Sequence, residues 1–230
     1  QVYYIGVKSE DQMAGEFDFF AVFSLLPLAQ EDADGYVQAY PFHPPDGSIP
    51  DGSPDKPGVS KWIAYLAAQG EVRRVIVTNS LVAENIADLV GAVESPSRKT
   101  VVLNNHALPP VPLPPGPYNF VYEDNDEGNV PGAIHPDGPG QLRDFVGDAG
   151  GGQWKFFYVD NSLSATGRVN NCKIKVERQP GNGAPITNTV PPNSWQYYAV
   201  NVPAGATNLT VCLELISATP LPLKVFVRKD

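Results

Sequence analysis

The chain has 230 residues, enough to bury an apolar core without disulfide bonds, and it carries 16 Lys and Arg against 25 Asp and Glu. The net charge of -9 repels a phosphate backbone, so we do not expect nucleic acid as a partner. No run of about 18 apolar residues occurs, so we expect no membrane insertion. With 21 Gly and 24 Pro, the composition favours strands joined by turns.

The first part of the chain predicts two strands and then a long irregular connector. Residues 2–7 and 17–23 are apolar runs joined by a polar turn. Residues 25–58 are rich in Pro, Asp and Gly, which excludes a helix there. The chain starts inside a predicted strand, so we expect a processed chain or a piece of a longer one.

From residue 59 to about residue 178, short runs of alternating apolar residues recur between turn clusters, a pattern typical of an antiparallel sandwich or jelly roll. Residues 59–69 also fit a helical spacing, and we interpret them as a strand. The runs are 63–67, 73–78, 89–93, 100–103, 119–123, 154–159 and 171–177. A Pro- and Gly-rich linker then leads to two or three more predicted strands, at 195–202, 208–215 and 223–228.

The two cysteines are predicted to be free thiols, because side chains alternate across a strand. Cys172 shares a face with Ile174 and Val176 and should be buried. Cys212 shares a face with Thr210 and should lie on the outer face of its strand. A bridge between an inner and an outer face conflicts with disulfide geometry.

The central segment carries a series of short motifs in a characteristic order. They are Ile49-Pro50-Asp51, Ala87-Asp88-Leu89, Glu94-Ser95-Pro96, Tyr122-Glu123-Asp124, Gly152-Gln153-Trp154, Tyr158-Val159-Asp160 and Thr166-Gly167-Arg168. In order and spacing they resemble the P domain (P/Homo B), the jelly roll that follows the catalytic domain in kexin-like and bacterial subtilisin-like proteases. The resemblance implies an all-β, galactose-binding-like jelly-roll sandwich over residues 46–178. It also implies no catalysis, since the protease chemistry of that family lies in a separate domain.

The two chain ends resemble halves of one further domain. Residues 195–211, from Trp195-Gln196-Tyr197-Tyr198 to Val211, are similar to the first half of the bacterial pre-peptidase C-terminal (PPC) domain, a small β-sandwich. Residues 2–7 and 17–22 are similar to its second half. The resemblance implies half-domains at 1–24 and 194–230, joined to the jelly roll by linkers at 25–45 and 179–193.

A half-sandwich exposes unpaired edges and an apolar face, so something must cover it. The two halves either meet within one chain or pair between neighbouring chains, and the second arrangement generates a head-to-tail filament. The apolar residues expected at this interface are Tyr3, Ile5, Val7, Trp195, Tyr197, Leu209, Val211, Leu213, Val225 and Val227.

A structural Ca²⁺ site is the metal hypothesis that the sequence raises. Residues 123–128 hold four carboxylates and one amide, and Ca²⁺ prefers six to eight oxygen ligands from flexible loops. The jelly-roll resemblance places Asp88 and Asp160 in turns near one sheet end. The candidate ligands are therefore Asp88, Glu123, Asp124, Asp126 and Asp160, and the alternative is a solvated acidic loop without an ion.

Catalysis and carbohydrate binding are two further functions that the sequence supports less well than plain structural roles. The histidines His43, His106 and His135 lie in turns without a nucleophile motif, so we expect no enzyme, with an unrecognised active site as the weakest alternative. Aromatic residues could stack on carbohydrate, although the alternating pattern places most of them in the sheet core. They are Trp154, Tyr158, Trp195, Tyr197 and Tyr198.

The sequence thus predicts a non-catalytic extracellular module, structural or accessory to a secreted subtilisin-like protease or a surface protein. Its expected partners are other protein domains or copies of itself, and carbohydrate is a further candidate. The alternative function is a self-assembling subunit of a surface filament.

Overall fold

The computed structural model describes residues 4–5, 7–8, 29–67, 70–106, 116–125, 127–163, 165–179 and 194–198. The chain divides into two units, Gln1–Ala199 and Val200–Asp230, and all described residues lie in the first. The strands predicted at 17–23, 208–215 and 223–228 lie outside the described residues, as does Cys212. The predicted domain boundaries stay a prediction.

Ten strands make up the described fold. They are β1 (Val37–Gln38), β2 (Tyr40–His43), β3 (Ser48–Ile49), β4 (Gly58–Leu66), β5 (Val72–Ala83), β6 (Leu89–Glu94), β7 (Thr100–Asn105), β8 (Gly116–Tyr122), β9 (Gly152–Asp160) and β10 (Gly167–Arg178). Two short 3₁₀ turns, Ile86–Asp88 and Leu142–Phe145, interrupt the connections. In the described part of the chain, no helix is long and apolar enough to cross a bilayer.

The strands form two five-stranded antiparallel sheets. The first has the order β1-β10-β5-β8, with β3 also paired to β10, and the second has the order β2-β4-β9-β6-β7. Consecutive strands alternate between the sheets at several points, for example β9 in the second sheet and β10 in the first. The predicted all-β sandwich is confirmed.

The core lies between the sheets and contains buried side chains from both, and the alternation that places them there is regular along β9. In β9, Trp154, Phe156 and Tyr158 are buried, whereas the residues between them are partly exposed. The Trp154 ring meets Phe145 edge to face at 5.1 Å, and its Nε1 donates to the Gly150 carbonyl at 2.9 Å. The second 3₁₀ turn is thereby packed into the core.

Two local predictions are confirmed. Residues 58–66 form a strand, β4, so period-2 alternation outweighs the competing helical spacing. Cys172 is a fully buried free thiol on β10, and burial raises its pKa to about 12.

Three short strands lie in the Pro-rich segment where none was predicted. β1 and β2 fall within 25–45, the range predicted as a linker, and they extend the two sheets by pairing with β10 and β4. Sequence patterning missed them because strands of two to four residues are too short to show alternation, and β2 contains Pro41. Pro41 is tolerated because β2 is an edge strand.

Candidate functional site

The described carboxylates of the acidic loop after β8 bind groups of the protein itself. Asp124 accepts hydrogen bonds from the backbone N–H groups of Leu142 (2.5 Å) and Arg143 (3.0 Å), and so satisfies the start of the second 3₁₀ turn. Glu123 Oε1 accepts from the Asn125 N–H at 2.6 Å. Burial raises the pKa of both carboxyl groups. Asp126 lies outside the described residues.

Glu127, in the same loop, lies in a buried cluster of two arginines and two glutamates. Its carboxylate pairs with Arg73 and, at 2.9 Å, with Arg74, and Glu177 on β10 pairs with both arginines as well. Asn129 accepts a further hydrogen bond from Arg74 at 2.7 Å. We call Arg73, Arg74, Glu127 and Glu177 the arginine cluster.

A β-bulge explains how two consecutive residues reach the same carboxylates. In the β5–β10 register, Glu177 pairs with Arg74 and Arg178 pairs with Val72, so Arg73 is an extra residue on β5. Regular strand residues alternate between faces, and a bulge breaks that alternation. Both guanidinium groups therefore point into one cluster.

The charges of the arginine cluster stabilise one another. Burial alone would raise the pKa of Glu177, but hydrogen bonds and charge from Arg74 and Arg73 lower it. The side chain of Glu127 is 0% exposed, and those of Arg73 and Arg74 are 6% and 3% exposed. Water cannot replace a lost partner at such burial.

The segment 194–198 contacts this cluster through Arg73. Its guanidinium donates to the Tyr197 carbonyl at 2.8 Å and lies 5.5 Å from the centre of the Tyr198 ring. Trp195 and Tyr197 stack on each other with ring centres 6.3 Å apart. Both rings stay about half exposed, at 48% and 54%.

A second acidic group lies at the opposite end of the sandwich. Asp160 ends β9 and pairs with Leu89, which directly follows Asp88. A side chain at Gly52 would collide with the Asp160 carbonyl oxygen, so the backbone next to Asp51 lies against β9. Burial, followed by the charges of Asp88 and Asp51, raises the pKa of the Asp160 carboxyl.

The Asp160 carboxylate is fully buried and only half satisfied. Its Oδ1 accepts from the Ser162 N–H at 3.0 Å, whereas its Oδ2 has no hydrogen-bond partner. Asp88 Oδ1 accepts from the Asn85 amide at 2.9 Å. A buried carboxylate oxygen without a donor is a position where a cation would be stabilised.

The four candidate metal ligands that the structure describes lie in two separate places. Glu123 and Asp124 follow β8 at the end where Tyr122 pairs with Val77 and the loop reaches the arginine cluster. Asp88 and Asp160 lie at the other end, where Ala83 pairs with Gly167. Across the described ranges, no three acidic, His or Cys side chains are arranged to hold a metal ion as they stand.

The other predicted site residues fall into separate places. Trp154 and Tyr158 are buried in the core, which rules them out as sugar-stacking residues in the folded sandwich. His43, His106 and His135 are exposed, and the Nδ1 of His106 lies 2.8 Å from the Ala87 carbonyl. Of the predicted interface residues, Ile5, Val7, Trp195 and Tyr197 are exposed. The others, Tyr3, Leu209, Val211, Leu213, Val225 and Val227, lie outside the described residues.

Sequence reasoning did not identify the arginine cluster. The available signal was the pair Arg73-Arg74 inside a strand that is otherwise apolar, since two adjacent charges cannot both point to water from a central strand. That signal shows that buried partners are required, but not which carboxylates supply them.

Comparison with known proteins adds little. No family model and no curated protein matches the chain. One similar solved structure is a complex of an Aeromonas sobria serine protease and a chaperone, with 16% identity and a TM-score of 0.37. The match covers 66% of this chain and 27% of that chain, and a likeness this distant carries no argument about function.

Proposed function

We propose that this chain is a non-catalytic extracellular β-sandwich module, a structural or binding accessory of a secreted subtilisin-like protease or a surface protein. The observation that carries the proposal is that Asp124 and the largely buried arginine cluster bind other groups of the protein. Asp124 binds the second 3₁₀ turn, and the arginine cluster joins Glu127, β5, β10 and segment 194–198. The P-domain resemblance of residues 46–178 supports the same function.

Two assays on the purified chain test the absence of catalysis. A fluorophosphonate probe labels activated serines, and fluorogenic casein reports proteolysis. We expect neither labelling nor hydrolysis above a heat-denatured sample. Labelling of one serine that is lost on denaturation would establish an active site and overturn the proposal.

A filament subunit is the second candidate, and the exposure of the apolar residues described within the two predicted half-domains favours it. Tyr4, Ile5 and Val7 are 95%, 66% and 59% exposed, and Trp195 and Tyr197 are about half exposed. Apolar residues at both ends call for a cover, which a neighbouring copy could provide.

Sedimentation velocity over a hundredfold range of concentration separates the two candidates. A module stays monomeric, whereas a head-to-tail polymer grows with concentration because its contact does not close. If particles grow, Ile5→Lys should shorten them, since it places a charge in the proposed contact, while Lys8→Gln serves as a nearby control. Monodisperse behaviour at every concentration contradicts the filament.

We further propose a structural Ca²⁺ at the Asp160 end, with Asp160 and Asp88 as ligands and Asp51 as a third carboxylate beside them. The orphan Oδ2 of Asp160 supports this placement, and hard oxygen ligands suit Ca²⁺. In the acidic loop, Asp124 and Glu127 are engaged by backbone N–H groups and arginines, which makes these two carboxylates poor ligands for an ion. The ion would hold three chain segments together and take part in no reaction.

Calcium should stabilise the wild-type chain and have no effect on Asp160→Asn. At about a hundred times the Kd, binding to the folded state adds about 2.7 kcal/mol to the free energy of unfolding. Urea unfolding with Ca²⁺ and with EDTA measures this difference, and Asp32→Asn, which alters an exposed carboxylate paired with Lys173, should keep the response. An equal response in Asp160→Asn would refute the site.

The same variant has a pH signature without calcium. Since the folded state raises the pKa of Asp160 above its ordinary value of 3.8, it binds this proton more tightly than the unfolded chain. The carboxyl therefore lowers stability as pH rises through 3.8 and beyond. In EDTA at pH 7, the free energy of unfolding of Asp160→Asn should equal or exceed that of wild type. Any excess should disappear below pH 3.8, where the wild-type carboxyl group is protonated in both states.

A further inference from the structure

We infer that Arg73 forms a docking site on the sandwich for an extended segment that presents a free carbonyl followed by an aromatic ring, and that segment 194–198 of the same chain is its occupant. The inference does not depend on whether the module serves a protease. It concerns how the sandwich is connected to the residues that follow it.

The bulge and the buried glutamates prepare the site. Because Arg73 is the extra residue of the bulge, its side chain leaves the regular alternation of β5. Glu127 and Glu177 bind its terminal nitrogens and balance its charge. The guanidinium is therefore held in one orientation before any segment docks, which reduces the entropy lost on docking.

The remaining capacity of Arg73 determines what it can bind. A guanidinium has several N–H donors and a flat face. One nitrogen donates to the Tyr197 carbonyl at 2.8 Å, and the Tyr198 ring lies over the guanidinium carbon at 5.5 Å. A backbone acceptor and a π face one residue apart match these two features.

Alternation along the segment explains which rings dock. In an extended chain, Gln196 and Tyr198 share one face, and the Tyr198 hydroxyl lies 3.3 Å from the Gln196 side-chain oxygen. Trp195 and Tyr197 share the other face, where their stacked rings stay half exposed. Docking through Tyr198 thus leaves the Trp195–Tyr197 pair facing away from Arg73.

Both flanks of residues 180–193 are anchored at one end of β5. Gln179 donates its N–H to the Glu71 carbonyl at 2.8 Å, directly before β5. The segment after the linker contacts Arg73, two residues further along the chain. Docking within one chain therefore closes a loop between two points, Glu71 and Arg73, that lie two residues apart. The entropy cost of closing such a loop is modest.

Chymotrypsin cleavage after Trp195 and Tyr197 measures release of the segment, because cleavage follows the population of the open state. Tyr198→Ala removes the ring but leaves the arginine cluster intact, and we expect cleavage to be roughly fivefold faster. Tyr198→Phe keeps the ring and should cleave at the wild-type rate. Arg73→Lys keeps a charge for the glutamates but loses the flat donor group, so we expect an increase of roughly tenfold or more.

A matched control removes another cation–π contact of the same sheet. Lys175 lies 5.9 Å from the centre of the Tyr36 ring, and Tyr36→Ala should leave cleavage after Trp195 unchanged. Near-UV circular dichroism verifies that every variant stays folded. Wild-type cleavage rates in Tyr198→Ala would overturn the inference, and so would protection that increases with protein concentration, since the segment would then dock on another chain.

Discussion

Glu127→Gln should lower the free energy of unfolding of the sandwich by about 3–5 kcal/mol, the usual cost of removing one partner from a buried ion pair. The carboxylate of Glu127 is fully buried and is bound by both Arg73 and Arg74. Glutamine has nearly the same shape but no charge, so the two guanidinium groups would lose one of the two carboxylates that bind both of them. Urea unfolding, followed by the fluorescence of the buried tryptophans Trp62 and Trp154, measures the loss.

Glu94→Gln is the matched control. Glu94 pairs with Lys155 at 2.8 Å in the second sheet, but these side chains are 21% and 35% exposed. A pair of this kind contributes about 0–1 kcal/mol, because water and salt screen it. Equal losses in the two variants would show that burial of the arginine cluster does not govern its energetics.

The acidic loop shows where sequence reasoning stops. Its composition predicted a cation, and the structure supplies cationic groups from the protein: Arg73 and Arg74 lie 54 and 53 residues before Glu127. Pairing over such a separation depends on the β5 bulge and on the path of the loop. Neither feature produces a periodic pattern of residues in the sequence. Composition could indicate that positive charge was needed, but not its source.

The central strands β6 and β9 were predictable because each is buried on one face only. Alternation places Trp154, Phe156 and Tyr158 on one face, and the same parity argument placed Cys172 inside. β1 and β3 have two residues each and show no such pattern. They form because β1 and β3 pair with β10 at the edge of the first sheet, where Val37 and Ile49 become buried.

The two ends of the sandwich differ in how their buried carboxylates are satisfied. At the arginine end, every carboxylate oxygen of Glu127 and Glu177 meets a guanidinium nitrogen. At the other end, one oxygen of Asp160 has no hydrogen-bond partner, and burial, followed by the charges of Asp88 and Asp51, raises the pKa of its carboxyl group. The first end is therefore complete without an ion, whereas the second is where added cation should change stability.

Trp154→Ala should lower the free energy of unfolding by about 3–5 kcal/mol, whereas Trp195→Ala should change it by less than about 1 kcal/mol. Trp154 is 0% exposed, packs edge to face on Phe145 and donates to the Gly150 carbonyl, so truncation leaves a cavity and an unpaired acceptor. Trp195 is 48% exposed and stacks on the Tyr197 ring, which is itself about half exposed, so its truncation opens no buried cavity.

The comparison of the two tryptophans also decides between core and ligand roles for aromatic residues. Urea unfolding followed by far-UV circular dichroism measures both variants without relying on tryptophan emission. Trp154→Phe should recover part of the loss, because it refills most of the cavity and keeps a ring against Phe145. If Trp154→Ala were as stable as wild type, the assignment of Trp154 to the core would be wrong. The argument that burial prevents Trp154 from stacking on carbohydrate would then fail as well.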